Sequence, residues 1–143
     1  MLGKDDELTL TRQDYKGNEL RLDGIYYLEK ENFEGIIYQR YALFRNGVIR
    51  DLGAPQEIDA PRILSGKSKS NWGVFQISNG EIKFERWYPG EELKAYMRSG
   101  VILNDSTFKI TESYRNQNGE KTEVETMNEV YHFKSFSPKP DST

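Results

Sequence analysis

Three Asn-Gly pairs lie between segments rich in Ile, Val, Tyr and Phe: Asn46-Gly47, Asn79-Gly80 and Asn118-Gly119. Asn and Gly tolerate the positive φ of a tight turn, so this pair is the strongest short-range signal for a β-hairpin. Three such turns in 143 residues predict an antiparallel all-β chain. A small sheet of this kind holds a ligand, presents loops or binds a partner, and the turns do not choose among these functions.

Turn signals and apolar segments together predict about eight strands. Eight strands joined mostly by hairpins close into an up-and-down barrel, whose interior holds side chains or one small ligand. Gly and Pro break the pattern at 53–70, and a short helix or lid is predicted at about 55–65. That segment either plugs one end of the barrel or acts as a functional lid. The strands are expected near 19–30, 36–45, 48–52, 71–78, 81–88, 93–103, 107–115 and 121–136.

The regions before and after these strands lack a strand pattern. We predict a flexible lead-in at 1–18, a single barrel domain at 19–136 and a flexible tail at 137–143. The lead-in is mostly polar. Pro138 and Pro140 prevent the tail from pairing in a sheet, because proline has no N–H to donate.

Composition excludes several functional classes. The net charge is −3, from 20 basic and 23 acidic residues, whereas a nucleic-acid-binding protein usually has a basic excess. The chain has no Cys, so it has no disulfide, zinc-thiolate site or cysteine nucleophile. No segment approaches the ~20 apolar residues of a transmembrane helix. His132 is the single histidine, which argues against a metal site or a catalytic triad, and we predict no cofactor and no metal.

Carboxylates are the remaining route to catalysis, because glycoside hydrolysis needs two of them across a cleft. Strand alternation directs most of the candidates toward solvent, so the sequence predicts that the protein is not an enzyme. The candidates are Glu85, Glu112, Glu123, Glu125 and Glu129.

On three strands, one row of alternating residues is mainly apolar and is predicted to face the barrel interior. Two of these rows contain a charge, Arg86 and Glu112, and a buried lone charge costs several kcal/mol. The two residues therefore either pair with each other or face a wet cavity and anchor a polar ligand group. The three rows are Ile82-Phe84-Arg86-Tyr88, Leu93-Ala95-Met97-Ser99-Val101-Leu103 and Phe108-Ile110-Glu112-Tyr114.

The second strand is ambiguous, since Arg40 shares a row with Ala42 and Phe44 while Tyr41 and Leu43 fill the other row. Pockets for small ligands are mostly apolar with a few polar anchors. The candidate ligand-binding residues are accordingly Arg40, Phe84, Arg86, Tyr88, Phe108, Ile110, Glu112 and Tyr114.

The region from Leu20 to Phe136 resembles the lipocalin-like (calycin) β-barrels found as small exported proteins and lipoproteins in bacteria. Gly24-Ile25-Tyr26 is similar to that family's Gly-x-Trp signature, with Tyr in place of Trp. Trp72-Gly73-Val74-Phe75 followed by Ile77 to Ile82 resembles a hairpin of the bacterial branch, and the tail Phe136 to Thr143 is also similar to such proteins.

This resemblance implies a barrel open at one end that binds a small, often hydrophobic or amphipathic molecule without catalysis. It also implies export to the periplasm or cell envelope, after removal of a signal peptide and with a lipid anchor on the precursor. The alternative function is a structural or protein-interaction module of the bacterial cell envelope. Its barrel would be filled, and Trp72, Trp87 or Tyr96 would mark a partner surface.

Overall fold

The computed structural model describes residues 8–32, 35–53, 72–88 and 94–135, and they form a closed barrel. Each strand pairs antiparallel with the next, and β8 pairs with β1. The predicted eight-stranded antiparallel barrel is therefore confirmed, while the helix or lid predicted at 55–65 lies outside the described residues. The strands are β1 (Gly24–Asn32), β2 (Gly35–Leu43), β3 (Val48–Gly53), β4 (Trp72–Ser78), β5 (Glu81–Tyr88), β6 (Lys94–Asn104), β7 (Thr107–Gln117) and β8 (Glu120–Ser135).

The Asn-Gly pairs form hairpin turns as the sequence predicts. Asn79 and Gly80 have φ values of 53° and 77°, and Asn118 and Gly119 have 55° and 84°. These are the two consecutive left-handed residues that a type I′ turn requires. At the β2–β3 turn Gly47 alone of the pair has a positive φ, of 87°, and the side chain of Asn46 accepts the Val48 N–H at 3.2 Å.

The two ends of the barrel differ. We call the end with the β2–β3, β4–β5 and β6–β7 turns the plug end, because Tyr15, Leu20 and Leu22 are buried there in the core. The hydroxyl of Tyr15 accepts the N–H groups of Glu19 and Leu20, at 2.8 and 3.2 Å. At the opposite end, which we call the loop end, β1, β3, β5 and β7 end and β2, β4, β6 and β8 begin.

Aromatic side chains of β1 and β8 reinforce the plug end. Tyr26, in the segment that resembles the lipocalin signature, is fully buried and donates its hydroxyl to the Arg21 carbonyl at 2.7 Å. Its ring lies 5.6 Å from that of Phe133 on β8. The guanidinium of Arg21 lies 4.2 Å from the Phe133 ring, so a cation–π contact links the segment before β1 to the last strand.

The chain before β1 lies against the barrel. Residues 8–12 follow its outer surface, and Tyr15 is 7% exposed. Residues 1–7 and the tail 137–143 are outside the described part of the chain, so the division into lead-in, domain and tail stays a prediction.

A β-bulge in β7 decides which residues face the interior. Gly100 pairs with Ile110 and Ser99 pairs with Glu112, so Thr111 is an extra residue on β7. The inward row therefore passes from Phe108 and Ile110 to Ser113, which is opposite the inward Arg98. The prediction that Glu112 and Tyr114 share the inward face was wrong, because the extra residue of the bulge reverses the inward–outward alternation of the residues that follow it.

The predicted inward row of β6 was also wrong. Pairing of Phe84 with Arg98 and of Arg86 with Tyr96 places Tyr96 and Arg98 inside. Ala95 and Met97 lie on the outer face and are nevertheless 5% and 4% exposed. Both faces are buried on this stretch of β6, so apolar character does not distinguish them. On the predicted row, Val101 and Leu103 lie outside and are exposed, and Leu93 is outside the described residues.

Candidate functional site

The barrel interior has an aromatic half and a charged half. The aromatic half contains fully buried rings, among them Phe108 and Tyr131, which stack at 4.9 Å between centroids with 13° between planes. Nearer the loop end, arginines of β5, β6 and β7 point inward and pair with carboxylates of β3 and β8. The pairs are Arg86–Asp51, Arg98–Glu129 and Arg115–Glu123.

The Arg86–Asp51 pair lies where the charged half meets the aromatic half. Arg86 NH2 lies 2.8 Å from Asp51 Oδ2, and the two side chains are 7% and 14% exposed. Arg86 NH1 donates to the Trp87 carbonyl at 3.0 Å, and its guanidinium lies 5.9 Å from the Tyr41 ring. Gln39 Nε2 donates to Asp51 Oδ1 at 2.9 Å. Asp51 faces the interior beside Tyr41, because Tyr41 and Asp51 are paired residues of β2 and β3.

The second pair is longer. Arg98 NH1 lies 3.4 Å from Glu129 Oε1, which also accepts the Tyr131 hydroxyl at 3.0 Å. Glu129 is 5% exposed. Since Tyr131 stacks on Phe108, this carboxylate is held directly above the aromatic half.

The third pair lies at the rim of the loop end. Arg115 NH1 is 2.9 Å from Glu123 Oε2, and the Tyr96 hydroxyl donates to Glu123 Oε1 at 3.1 Å. The hydrogen bond from Arg115, and then that from Tyr96, lowers the pKa of Glu123. Glu123 has a φ of 50° at a register shift of β8, which is how its side chain meets both partners.

Burial determines the ionisation of two core tyrosines. Loss of hydration raises the pKa of Tyr131 far above its usual value, and the nearby Tyr41 and Glu129 raise it further. Burial also raises the pKa of Tyr26. Both hydroxyls therefore stay neutral in the folded barrel, where each donates a hydrogen bond.

The chain has nine tyrosines, and we expect an alkaline titration of phenolate absorbance to show Tyr26 and Tyr131 ionising well above the exposed ones. Because the folded-state pKa values are raised, their contribution to stability is complete below the unfolded pKa of about 10 and is lost as pH rises above it. Tyr26 and Tyr131 should ionise together with loss of circular dichroism. Ionisation of every tyrosine while the barrel remains folded would contradict this burial.

The structure brings together four of the eight predicted site residues. Phe84, Arg86, Phe108 and Ile110 are inward and buried. Arg40 is 7% exposed but shares the outward row with Ala42. The side chain of Tyr88 is outside the described part.

Glu112 and Tyr114 belong to a separate outer cluster. Lys121 Nζ lies 2.8 Å from Glu112 Oε1 and 4.5 Å from the centre of the Tyr114 ring. The proposed pairing of Arg86 with Glu112 was therefore wrong, because Arg86 pairs with Asp51. Ligand binding by the eight residues stays a prediction.

Several residues of the charged half were missed from the sequence. Glu129 shares its row with Tyr131 and Phe133, and this spacing was a usable signal. Arg98 gave no such signal, since it alternates with the apolar Met97. Asp51, Arg98 and Arg115 were not candidates in any role, whereas Tyr96 was considered only for a partner surface and Glu123 and Glu129 only as catalytic carboxylates.

The described residues contain no cluster of three His, Cys, Asp or Glu side chains suited to a metal ion. Within the same ranges, no helix has the length and hydrophobicity to cross a membrane. What the charged half offers is a set of guanidinium donors and carboxylate acceptors, two pairs of which are largely shielded from water while Glu123 of the third is 49% exposed.

Fold and interior together define a closed eight-stranded antiparallel β-barrel with a charged half at its loop end. This architecture is compatible with a lipocalin-like fold, and membership of that family stays a prediction. Comparison with protein families, curated proteins and solved structures gives no significant match.

Proposed function

We propose that this protein is a non-catalytic binding protein that holds a small amphipathic ligand in the loop-end half of its barrel. The observation that supports it is the set of three arginine–carboxylate pairs beside the aromatic core. Apolar residues of similar volume often stabilise an interior as well as buried ion pairs do, or better. Charged residues in this position therefore favour a role in recognition.

The geometry suggests how each part of the ligand is held. Its apolar part lies toward the rings of Tyr41, Phe84 and Tyr131, with the Tyr41 ring 5.1 Å from Phe84 and 5.5 Å from Tyr131. These rings are fully buried against one another, so binding requires them to move apart. Its polar group bonds to Arg98, whose contact with Glu129 is the longest of the three pairs at 3.4 Å. A long ion pair costs less to exchange for a ligand contact than a short one.

The non-catalytic and exported parts of the proposal have separate grounds. His132 is exposed on β8, and each of the three carboxylates in the charged half contacts an arginine, so these carboxylates are not placed as free bases. Location in the periplasm or cell envelope follows from the lipocalin-like resemblance and is proposed on that basis.

Titration with a dansyl-labelled fatty acid tests the proposal. We expect saturable one-to-one binding by the wild-type protein. Arg98→Lys keeps the charge but loses the guanidinium fork, so it should weaken binding about tenfold, the effect of one charge-assisted hydrogen bond. The matched control is Arg21→Lys at the plug end, which should bind like the wild type. Absence of saturable binding, or equal affinity of Arg98→Lys and wild type, would refute the proposal.

The alternative is a structural or interaction module with a filled barrel. Six fully buried aromatic side chains favour it, since they leave the plug-end half packed: Tyr26, Tyr41, Tyr131, Phe75, Phe84 and Phe108. Of its expected partner residues, Trp87 is 8% exposed and Tyr96 faces inward. The side chain of Trp72 lies outside the described residues. A wild-type protein that binds no probe, while Arg98→Lys still lowers stability, would support this alternative.

A further inference from the structure

Residues 8–12 form an N-terminal strap on the outside of the barrel. Asn116 Nδ2 donates to the Thr9 hydroxyl at 3.1 Å, and Gln76 Nε2 donates to the Thr11 carbonyl at 2.8 Å. Arg12 NH1 donates to the Asn46 carbonyl at 3.3 Å. The strap thus spans from β7 to the β2–β3 turn.

Glu85 is the central anchor of the strap. It lies on the outward row of β5, yet it is 1% exposed. The amides of Thr9 and Leu10 both donate to its Oε1, Leu10 at 2.8 Å, and the Thr9 hydroxyl donates to Oε2 at 3.0 Å. Within the described residues, all hydrogen bonds of this carboxylate come from the strap. A buried carboxylate needs such donors, because an unsatisfied charge is costly.

A groove of about 370 Å³ lies beside the strap on the same outer surface. Gln76 belongs to both, since it lines the groove and bonds Thr11. On the far side, the groove is bounded by Tyr114 and Lys121, the outer cluster with Glu112. The strap therefore meets one edge of the groove through Gln76.

We propose that the strap detaches from and returns to the barrel surface at the edge of this groove while the barrel stays folded, with the Glu85 carboxylate as its latch. Every contact of the strap given above involves a side chain of the barrel or of the strap, and residues 8–12 belong to none of the eight strands. The chain is held by the barrel again at Gln13, whose backbone lies against Gly47, and at the buried Tyr15, so the strap moves about the residues just before Gln13. Opening hydrates Glu85, which replaces the lost donors with water and keeps the cost of opening low.

Hydrogen exchange of the full chain, measured by mass spectrometry, tests the latch. In Glu85→Gln the amides of residues 9–10 should exchange about tenfold faster, because a charge-assisted acceptor becomes a neutral one. Amides of β7 and β8 should keep their wild-type rates. The matched control is Glu81→Gln, an exposed groove-lining residue on the same strand, which should leave the strap unchanged.

Thr9→Val provides a second variant that alters the strap alone. It removes the hydroxyl that contacts Glu85 and Asn116, and it should speed tryptic cleavage after Arg12 several-fold. The proposal fails if residues 9–10 exchange at wild-type rates in both Glu85→Gln and Thr9→Val. It also fails if β7 and β8 accelerate by the same factor as the strap, which would make the strap part of the barrel's cooperative unit.

Discussion

Replacing Gly100 with alanine is expected to lower the free energy of unfolding by about 3 kcal/mol or more, an extreme case of overpacking. A Cβ at this position would lie 1.8 Å from the Lys109 carbonyl oxygen and 2.8 Å from the Ile110 Cα. These are backbone atoms of the paired strand, so β6 and β7 must separate to admit the methyl group. This separation falls at the bulge that orients Ser113 and Glu112. Urea unfolding monitored by tryptophan fluorescence measures the resulting loss of free energy of unfolding.

Gly119→Ala is the matched glycine variant for this experiment. Gly119 has a φ of 84° but no atom within 4 Å of an added Cβ. Its cost is the backbone strain of a left-handed residue, about 1–2 kcal/mol. If Gly100→Ala is no more destabilising than Gly119→Ala, the close approach of β6 and β7 is wrong.

Arg86→Met is expected to destabilise the barrel by about 3–5 kcal/mol, the range for breaking one side of a buried ion pair. The substitution leaves the Asp51 carboxylate, which is 14% exposed, without the guanidinium 2.8 Å away. It also removes the donor to the Trp87 carbonyl. The urea midpoint should fall accordingly.

Two comparisons isolate the ion pair. Arg86→Met combined with Asp51→Leu should recover much of the loss, because an apolar pair leaves no buried charge. Arg21→Met removes a solvent-exposed pair with Asp23 and an exposed cation–π contact with Phe133, so it should shift the midpoint far less than Arg86→Met does. A single Arg86→Met variant as stable as Arg21→Met would show that Arg86 is hydrated and not part of a buried pair.

The strand order and turns were predictable from the sequence because their cause is local. Asn-Gly turns fix the β4–β5 and β7–β8 hairpins through two positive φ angles each, and the apolar segments between the turns supply the strands. The faces of β6 and β7 were not predictable in the same way. The inward face of β7 depends on the bulge at Thr111, and the burial of the outer face near Glu85 depends on the strap. Both features arise from contacts between residues far apart in the sequence.

The residues of the candidate site were likewise predictable where the cause is local and not where it is long-range. Phe84 and Arg86 were placed correctly because β5 alternates without interruption. Asp51, the partner of Arg86, belongs to the short strand β3, which is separated from β5 by β4 in the sheet. A side-chain contact between β3 and β5 depends on barrel curvature, which hydrophobic alternation does not encode.

Native mass spectrometry of the wild-type protein, purified from its own host without denaturation, tests most directly whether the charged half holds a ligand. We expect a population heavier than the bare chain by one small molecule, and this molecule should carry both an apolar portion and a polar group. Arg98→Lys, purified in parallel, should retain less of it. A bare chain alone in the wild-type preparation, together with no uptake of the fatty-acid probe, would contradict the account.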